Sequence, residues 1–244
     1  MNARATFATT TRVLTQLRRD HRTLAMLLVV PCVLIGLLAW IFDGTATFDR
    51  IGAPLLGVFP FVVMFLVTSV ATLRERTSGT LERLLTLPIG KLDFLLGYAF
   101  AFGALAVVQA LLASAFAVLA LDLDVAGPIW LVVLVAVLDA LLGMALGLFV
   151  SAFASSEFQA VQFMPAVVLP QFLLCGLLVP REAMNDVLQA ASEVLPLSYA
   201  VDAMRLVSVR DAVPIEVWRD VGVVVACIVV ALLLSAATLR RQSR

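Results

Sequence analysis

Six long apolar runs decide what this chain can fold into: Leu24–Phe42, Ile51–Leu73, Phe94–Leu121, Ile129–Ala154, Phe158–Val179 and Val217–Leu239. Coiled into a helix at about 1.5 Å per residue, each reaches across roughly 30 Å of hydrocarbon. No water is present there to bond free backbone groups, so only helices and closed barrels can span. The runs show no period-2 alternation and are much longer than barrel strands need, so the expected fold is all-α. A soluble alternative fails on composition. Of the 244 residues, 62% are apolar and 14% charged, too little polar surface to cover a soluble domain. Pro31 interrupts the first run, and Pro165 and Pro170 the fifth. Membrane helices tolerate such prolines where neighbours take up the freed carbonyls.

Lys plus Arg balances Asp plus Glu at 17 each, so no nucleic-acid partner is expected. Placement is more informative than the total. Arg4, Arg12, Arg18, Arg19 and Arg22 precede the first run, and Arg74, Arg76, Arg83 and Lys91 lie between the second and third. Arg240, Arg241 and Arg244 follow the last. These twelve fall on one side, so both termini are expected in the cytoplasm, and the expected location is the plasma membrane. Acidic residues mark the other side: Asp43 and Asp49, beside Arg50, after the first run, and Asp122 and Asp124 after the third. Arg181, Arg205, Arg210 and Arg219 run against this rule, lying on the expected outer side. The first run is read as a retained span and not a signal peptide, since it is span-length and no clear small-x-small site follows it.

The leader, residues 1–23, sets Phe7, Leu14 and Leu17 among its arginines. It reads as a helix in the inner interface facing anionic lipid, or else as a basic leader that only sets topology. Residues 24–244 then form a single membrane domain. Within it, residues 74–93 are the densest polar stretch on the inner side. Ser78 can cap a short helix with Leu81, Leu84 and Leu85 on one face, Glu82 and Arg83 off it, and Pro88 with Gly90 ending it. Such a helix can lie flat on the membrane or present itself to another protein; a solvated turn is the plainer reading. On the outer side, residues 181–210 hold two short amphipathic stretches separated by Pro196. Met184, Val187, Leu188, Ala191 and Leu195 mark one, and Tyr199, Val201, Met204 and Leu206 the other. Neither can span.

A carboxyl inside a span is costly, which singles out Asp139. Either it couples transport to an ion, or it bonds a neighbouring helix such as the one carrying Gln109. Gly143 and Gly147 offer a small face for close packing. Glu157, Gln159 and Gln162 read as a solvated turn, and Trp40, Trp130 and Trp218 sit near run ends as interfacial anchors. Cys32, Cys175 and Cys227 lie far apart in apolar stretches, and His21 stands alone, so neither a disulfide nor a metal site is expected. GxxxxGK[ST], HExxH and GxSxG do not occur. Neither enzymatic activity nor a bound cofactor is expected.

The stretch Glu75-Arg76-Thr77-Ser78-Gly79-Thr80-Leu81-Glu82-Arg83-Leu84-Leu85-Thr86-Leu87-Pro88 resembles the signature of type-2 ABC exporter permeases. Cys175-Gly176-Leu177-Leu178-Val179-Pro180, followed by Leu195-Pro196-Leu197-Ser198-Tyr199-Ala200-Val201-Asp202-Ala203-Met204-Arg205, resembles that family's region before the last span. The resemblance implies six transmembrane helices, an N-terminal interfacial helix, a cytoplasmic coupling helix between spans two and three, and a re-entrant helix pair before span six. It implies a second permease subunit, as homodimer or heterodimer, and two copies of a separate ABC ATPase subunit carrying ATP and Mg. ATPase coupling would then fall to Glu75, Arg76, Gly79, Thr80, Leu81, Glu82, Arg83, Leu84 and Pro88. The outer gate would be formed by Pro180, Met184, Leu188, Pro196, Tyr199 and Arg205, leaving Gln109 and Asp139 as intramembrane polar groups without an assigned role. The expected cargo is an amphipathic or lipid-like compound moving outward. The alternatives are an ion-coupled secondary transporter using Asp139 and a membrane anchor that transports nothing.

Overall fold

The computed structural model describes residues 3–43, 47–77 and 91–238, the side chain of Lys91 excepted. Among these residues regular structure is helical: α1 (Ala3–Arg19), α2 (His21–Ile41), α3 (Thr47–Thr77), α4 (Lys91–Ala120), α5 (Ile129–Val150), α6 (Glu157–Leu174), a 3₁₀ turn (Arg181–Ala183), α7 (Asp186–Val194), α8 (Pro196–Val209) and α9 (Ile215–Thr238). Five of them, α2, α3, α4, α5 and α9, are long and apolar enough to cross a membrane.

The fifth apolar run yields less helix than its hydropathy suggests. It ends at Leu174, and residues 175–179 are irregular because Gly176 takes φ +89°, a left-handed conformation that stops a right-handed helix. With 18 residues, α6 covers only about 27 Å. The fourth run likewise leaves the helix at Val150, four residues before its apolar stretch ends.

The most extensive packing is between α3 and α5, and small residues explain it. Asp139, Gly143 and Gly147 follow one another at four-residue spacing on α5. They face Gly57, Phe61 and Phe65, at the same spacing on α3. The matched order makes the two helices parallel, as alternate spans should be. A Cβ on Gly143 would lie 2.2 Å from the Phe61 carbonyl oxygen, and one on Gly147 2.6 Å from that of Phe65. Only glycine permits backbones this close.

Asp139 is 0% exposed, with Gly57 and Met204 beside it, and neither carboxyl oxygen has a hydrogen-bond partner. Gln109 is not its partner. The Gln109 amide donates to the Leu27 carbonyl of α2 at 2.9 Å. The three cysteines are free thiols.

The two short stretches on either side of Pro196 part company. In α8, Leu197, Ala200, Val201, Met204 and Val207 are buried, and the helix packs against α3, α5 and α9 as part of the core. Tyr199 and Leu206 lie off that buried face. In α7 the expected apolar face points away from the bundle, with Val187 75% exposed and Leu188 also exposed, while Ser192 is turned inward.

Candidate functional site

At the C-terminal end of α3, three consecutive residues tie the helix to three different elements. Arg74 makes a two-pronged bond to Glu157 at the start of α6, at 2.9 and 3.0 Å. Glu75 accepts from Arg12 (3.3 Å) and Gln16 (3.1 Å) of α1. Arg76 donates to the Ser151 carbonyl at the end of α5, at 2.6 Å. The helix period explains this fan, since successive residues point about 100° apart. The Arg76 bond also places a cation where the α5 dipole is negative.

The three ties differ in character. Arg74 and Glu157 are both exposed, a pair worth at most about 1 kcal/mol. Glu75 is largely covered, and its partner Arg12 also donates to the Tyr98 hydroxyl of α4 at 3.0 Å. Leader, α3 and α4 are thereby joined through Arg12. The leader is seated along α4 by Gly97: Thr10 donates to its carbonyl at 3.2 Å, and any Cβ there would strike Thr9 at 2.6 Å. The buried leader face is Thr9, Val13 and Leu17, and Phe7 points away at 74% exposure. Leader and α2 meet at Asp20, which accepts from the Thr23 hydroxyl (2.6 Å) and backbone N–H (3.1 Å). Those two bonds hold the Asp20 carboxyl below the usual carboxylate range. This cap is fully present above about pH 4 and fades as pH falls through the depressed value.

Of the residues expected to couple to an ATPase, Glu75 and Arg76 thus occupy the joint from which the 78–90 segment leaves. Gly79, Thr80, Leu81, Glu82, Arg83, Leu84 and Pro88 lie outside the described residues, as do Arg240, Arg241 and Arg244. Motif matching pointed to this region, but it missed Arg12, Gln16, Tyr98, Ser151 and Glu157, which only the fold brings to it.

At the other end of the bundle, Arg181 organises the 181–210 segment. It donates to Asp202 of α8 and to the Ser192 hydroxyl of α7 (2.9 Å), and its guanidinium lies over the Tyr199 ring. Tyr199 donates to the Glu193 carbonyl at 2.7 Å, and Arg205 to the Gly176 carbonyl at 3.2 Å. Pro180 precedes the 3₁₀ turn and Met184 follows it. Pro196 opens α8, where its missing N–H costs nothing, and Leu188 faces outward. Arg219 bonds Asp220 at 3.1 Å. Three of the four basic residues that run against the expected orientation, Arg181, Arg205 and Arg219, are therefore held locally by carboxylates or a carbonyl. Arg181→Ala should lower the thermal midpoint in detergent by roughly 3–8 °C, because two bonds to a charged donor disappear and Asp202 loses its partner. Arg181→Lys should recover less than half of that, since an ammonium cannot reproduce the fork. Full recovery in the lysine variant would contradict the geometry.

Residues 4–208, from the leader to the end of α8, match the ABC-2 type transporter family. The chain belongs to the ABC-2 type transporter family. Similar proteins include the probable multidrug ABC transporter permease YbhR of Escherichia coli, 28% identical over 68% of this chain and 45% of that protein. ABC transporter G family member 20 of Dictyostelium discoideum is 25% identical over 80% of this chain and 27% of its own length. Nodulation protein J of Rhizobium leguminosarum bv. trifolii is 34% identical over 46% of this chain and 44% of its own length. The chain spans less than half the length of these relatives. Membership in a permease family fits the helical, span-rich architecture, and the match ends in the last turn of α8.

Proposed function

We propose that this ABC-2 permease is the membrane-spanning half of an ATP-driven exporter, and that the fan of bonds at Arg74, Glu75 and Arg76 is its mechanical input. That fan carries the reading: a force on the adjoining 78–90 segment reaches α6 through Arg74, the leader and α4 through Glu75 and Arg12, and α5 through Arg76. In this scheme the 74–93 segment and the leader rest on two copies of a separate ATPase subunit, with Glu82 and Arg83 as polar contacts. ATP and Mg are bound there and not by this chain. Closing of the ATPase pair shifts the permease pair between inward- and outward-open states.

Six spans complete the scheme, with α6 and the irregular residues 175–179 together making the fifth. The 181–210 segment closes the outer end, α8 packed in the bundle and α7 lying in the outer leaflet. Both termini face the cytoplasm in this orientation. Spans poor in polar side chains suit an amphipathic or lipid-like cargo better than a sugar polymer. The word multidrug in the name of the Escherichia coli relative supports the same class. The second permease subunit is a copy of this chain or a related one.

Inverted membrane vesicles containing the complex test the reading. ATP should drive accumulation of an amphipathic dye or a fluorescent lipid analogue, and an uncoupler should leave that accumulation unchanged. Uptake that needs a proton gradient and ignores ATP would contradict it.

A further inference from the structure

Pro31 lies inside α2, buried, with continuous helix on either side. A proline has no N–H, so the carbonyl four residues earlier loses its internal partner. That carbonyl belongs to Leu27, and it is the one that accepts from the Gln109 amide of α4. The next carbonyl, of Leu28, accepts from the Cys32 thiol at 3.4 Å. The one carbonyl that the proline frees thus has a side-chain donor.

The match is specific. Gln109 is 1% exposed and Leu27 0%, so no water reaches the pair. The amide's other end, Oε1, has no partner, so burying this side chain is unfavourable except for the one bond it makes. A residue present only for packing would be apolar. The surroundings on α4 are small, with Ala106, Ala110 and Ala113 fully buried, and Gly36 of α2 rests near the Phe116 ring. These let α2 approach closely enough for the amide to reach a backbone atom.

We propose that Gln109 is a positioning residue for the first span. It supplies across the α2–α4 interface the hydrogen bond that Pro31 removes, making residues 27–31 a joint whose halves can change their mutual angle without baring a polar atom. Asp20 joins the inner half of α2 to the leader, so the joint lets that half follow the leader while the outer half stays against α4. This last consequence rests on the coupling reading; the joint itself does not.

A double-mutant cycle on the full chain in detergent tests the joint with no ATPase present. Gln109→Leu should lower the thermal midpoint by roughly 3–8 °C while Pro31 is in place. With Pro31→Ala, residue 31 regains an N–H for Leu27, and the same Gln109→Leu change should cost about 2 °C or less. Equal losses in both backgrounds would overturn the proposal, because a packing role does not depend on residue 31. Should Gln109→Leu alone not accumulate in the membrane, the double variant's yield replaces the midpoint: recovery supports the joint, and no recovery overturns it. In vesicles, Pro31→Ala should keep its stability yet lower ATP-driven uptake at least 3-fold, about 0.7 kcal/mol at 0.59 kcal/mol per RT. Unchanged uptake would overturn the joint's role in motion while leaving ATP coupling itself intact.

Discussion

Among the described glycines, Gly143→Ala should be the most damaging alanine substitution. Its Cβ would stand 2.2 Å from the Phe61 carbonyl oxygen and 2.9 Å from that residue's carbonyl carbon and Cα. All three are backbone atoms, so no side chain can turn aside, and α3 and α5 must separate along their whole contact. Overpacking of this kind costs about 1–3 kcal/mol and sometimes more. For a chain of this size that is a fall of roughly 3–10 °C in thermal midpoint, or loss of folded yield. Gly57→Ala should cost less, because the atoms in the way are the Asp139 carboxyl at 2.7 Å and the Met204 thioether at 3.1 Å, both able to move. Gly222→Ala is the control: nothing lies within 4 Å of its Cβ, so the midpoint should stay level or rise slightly. Equal behaviour of Gly143→Ala and Gly222→Ala in a detergent melt would refute the α3–α5 packing.

Charge reversal at Glu82 or Arg83 should give the largest functional loss, and Asp139→Asn should give little. Reversing either of the first two is expected to cut substrate-stimulated ATP hydrolysis and transport at least 10-fold. The midpoint should shift by no more than about 2 °C, so that the loss reads as function and not folding. Asp139 has both oxygens without partners and is fully buried, with Gly57 of α3 against its carboxyl. An amide of the same shape loses no hydrogen bond there, so transport should survive. Transport abolished by Asp139→Asn and indifferent to Glu82→Arg would instead point to ion-coupled movement.

The long helices were legible because span length and hydropathy act residue by residue, and a 20-residue apolar run has few other fates. Where the helices end was not. Gly176 sits in an apolar stretch, and hydropathy cannot register its left-handed backbone, so the fifth run reads on to Val179 while the helix stops at Leu174. Partners across the bundle were equally hidden. Gln109 and Asp139 were the two conspicuous polar residues inside spans, and pairing them was natural. The fold instead sets Gln109 against the acceptor that Pro31 frees on α2. The joint at residues 74–76 shows both sides of this. Glu75 and Arg76 stand out as part of a motif, whereas Glu157, 83 positions from Arg74, read as an ordinary solvated turn. In α7 and α8, three-four spacing correctly announced short helices, but which face is covered depends on neighbours that the pattern does not name. Hence Val187 is exposed and Ala200 buried.

The most direct test of the permease assignment is to purify the chain from its native membrane in mild detergent and identify what remains bound by mass spectrometry. A stoichiometric companion carrying a P-loop, lost when Glu82 or Arg83 is reversed, is the predicted result. A chain that emerges without any P-loop companion, even after crosslinking in the membrane, would contradict the coupling role given to the 74–93 segment.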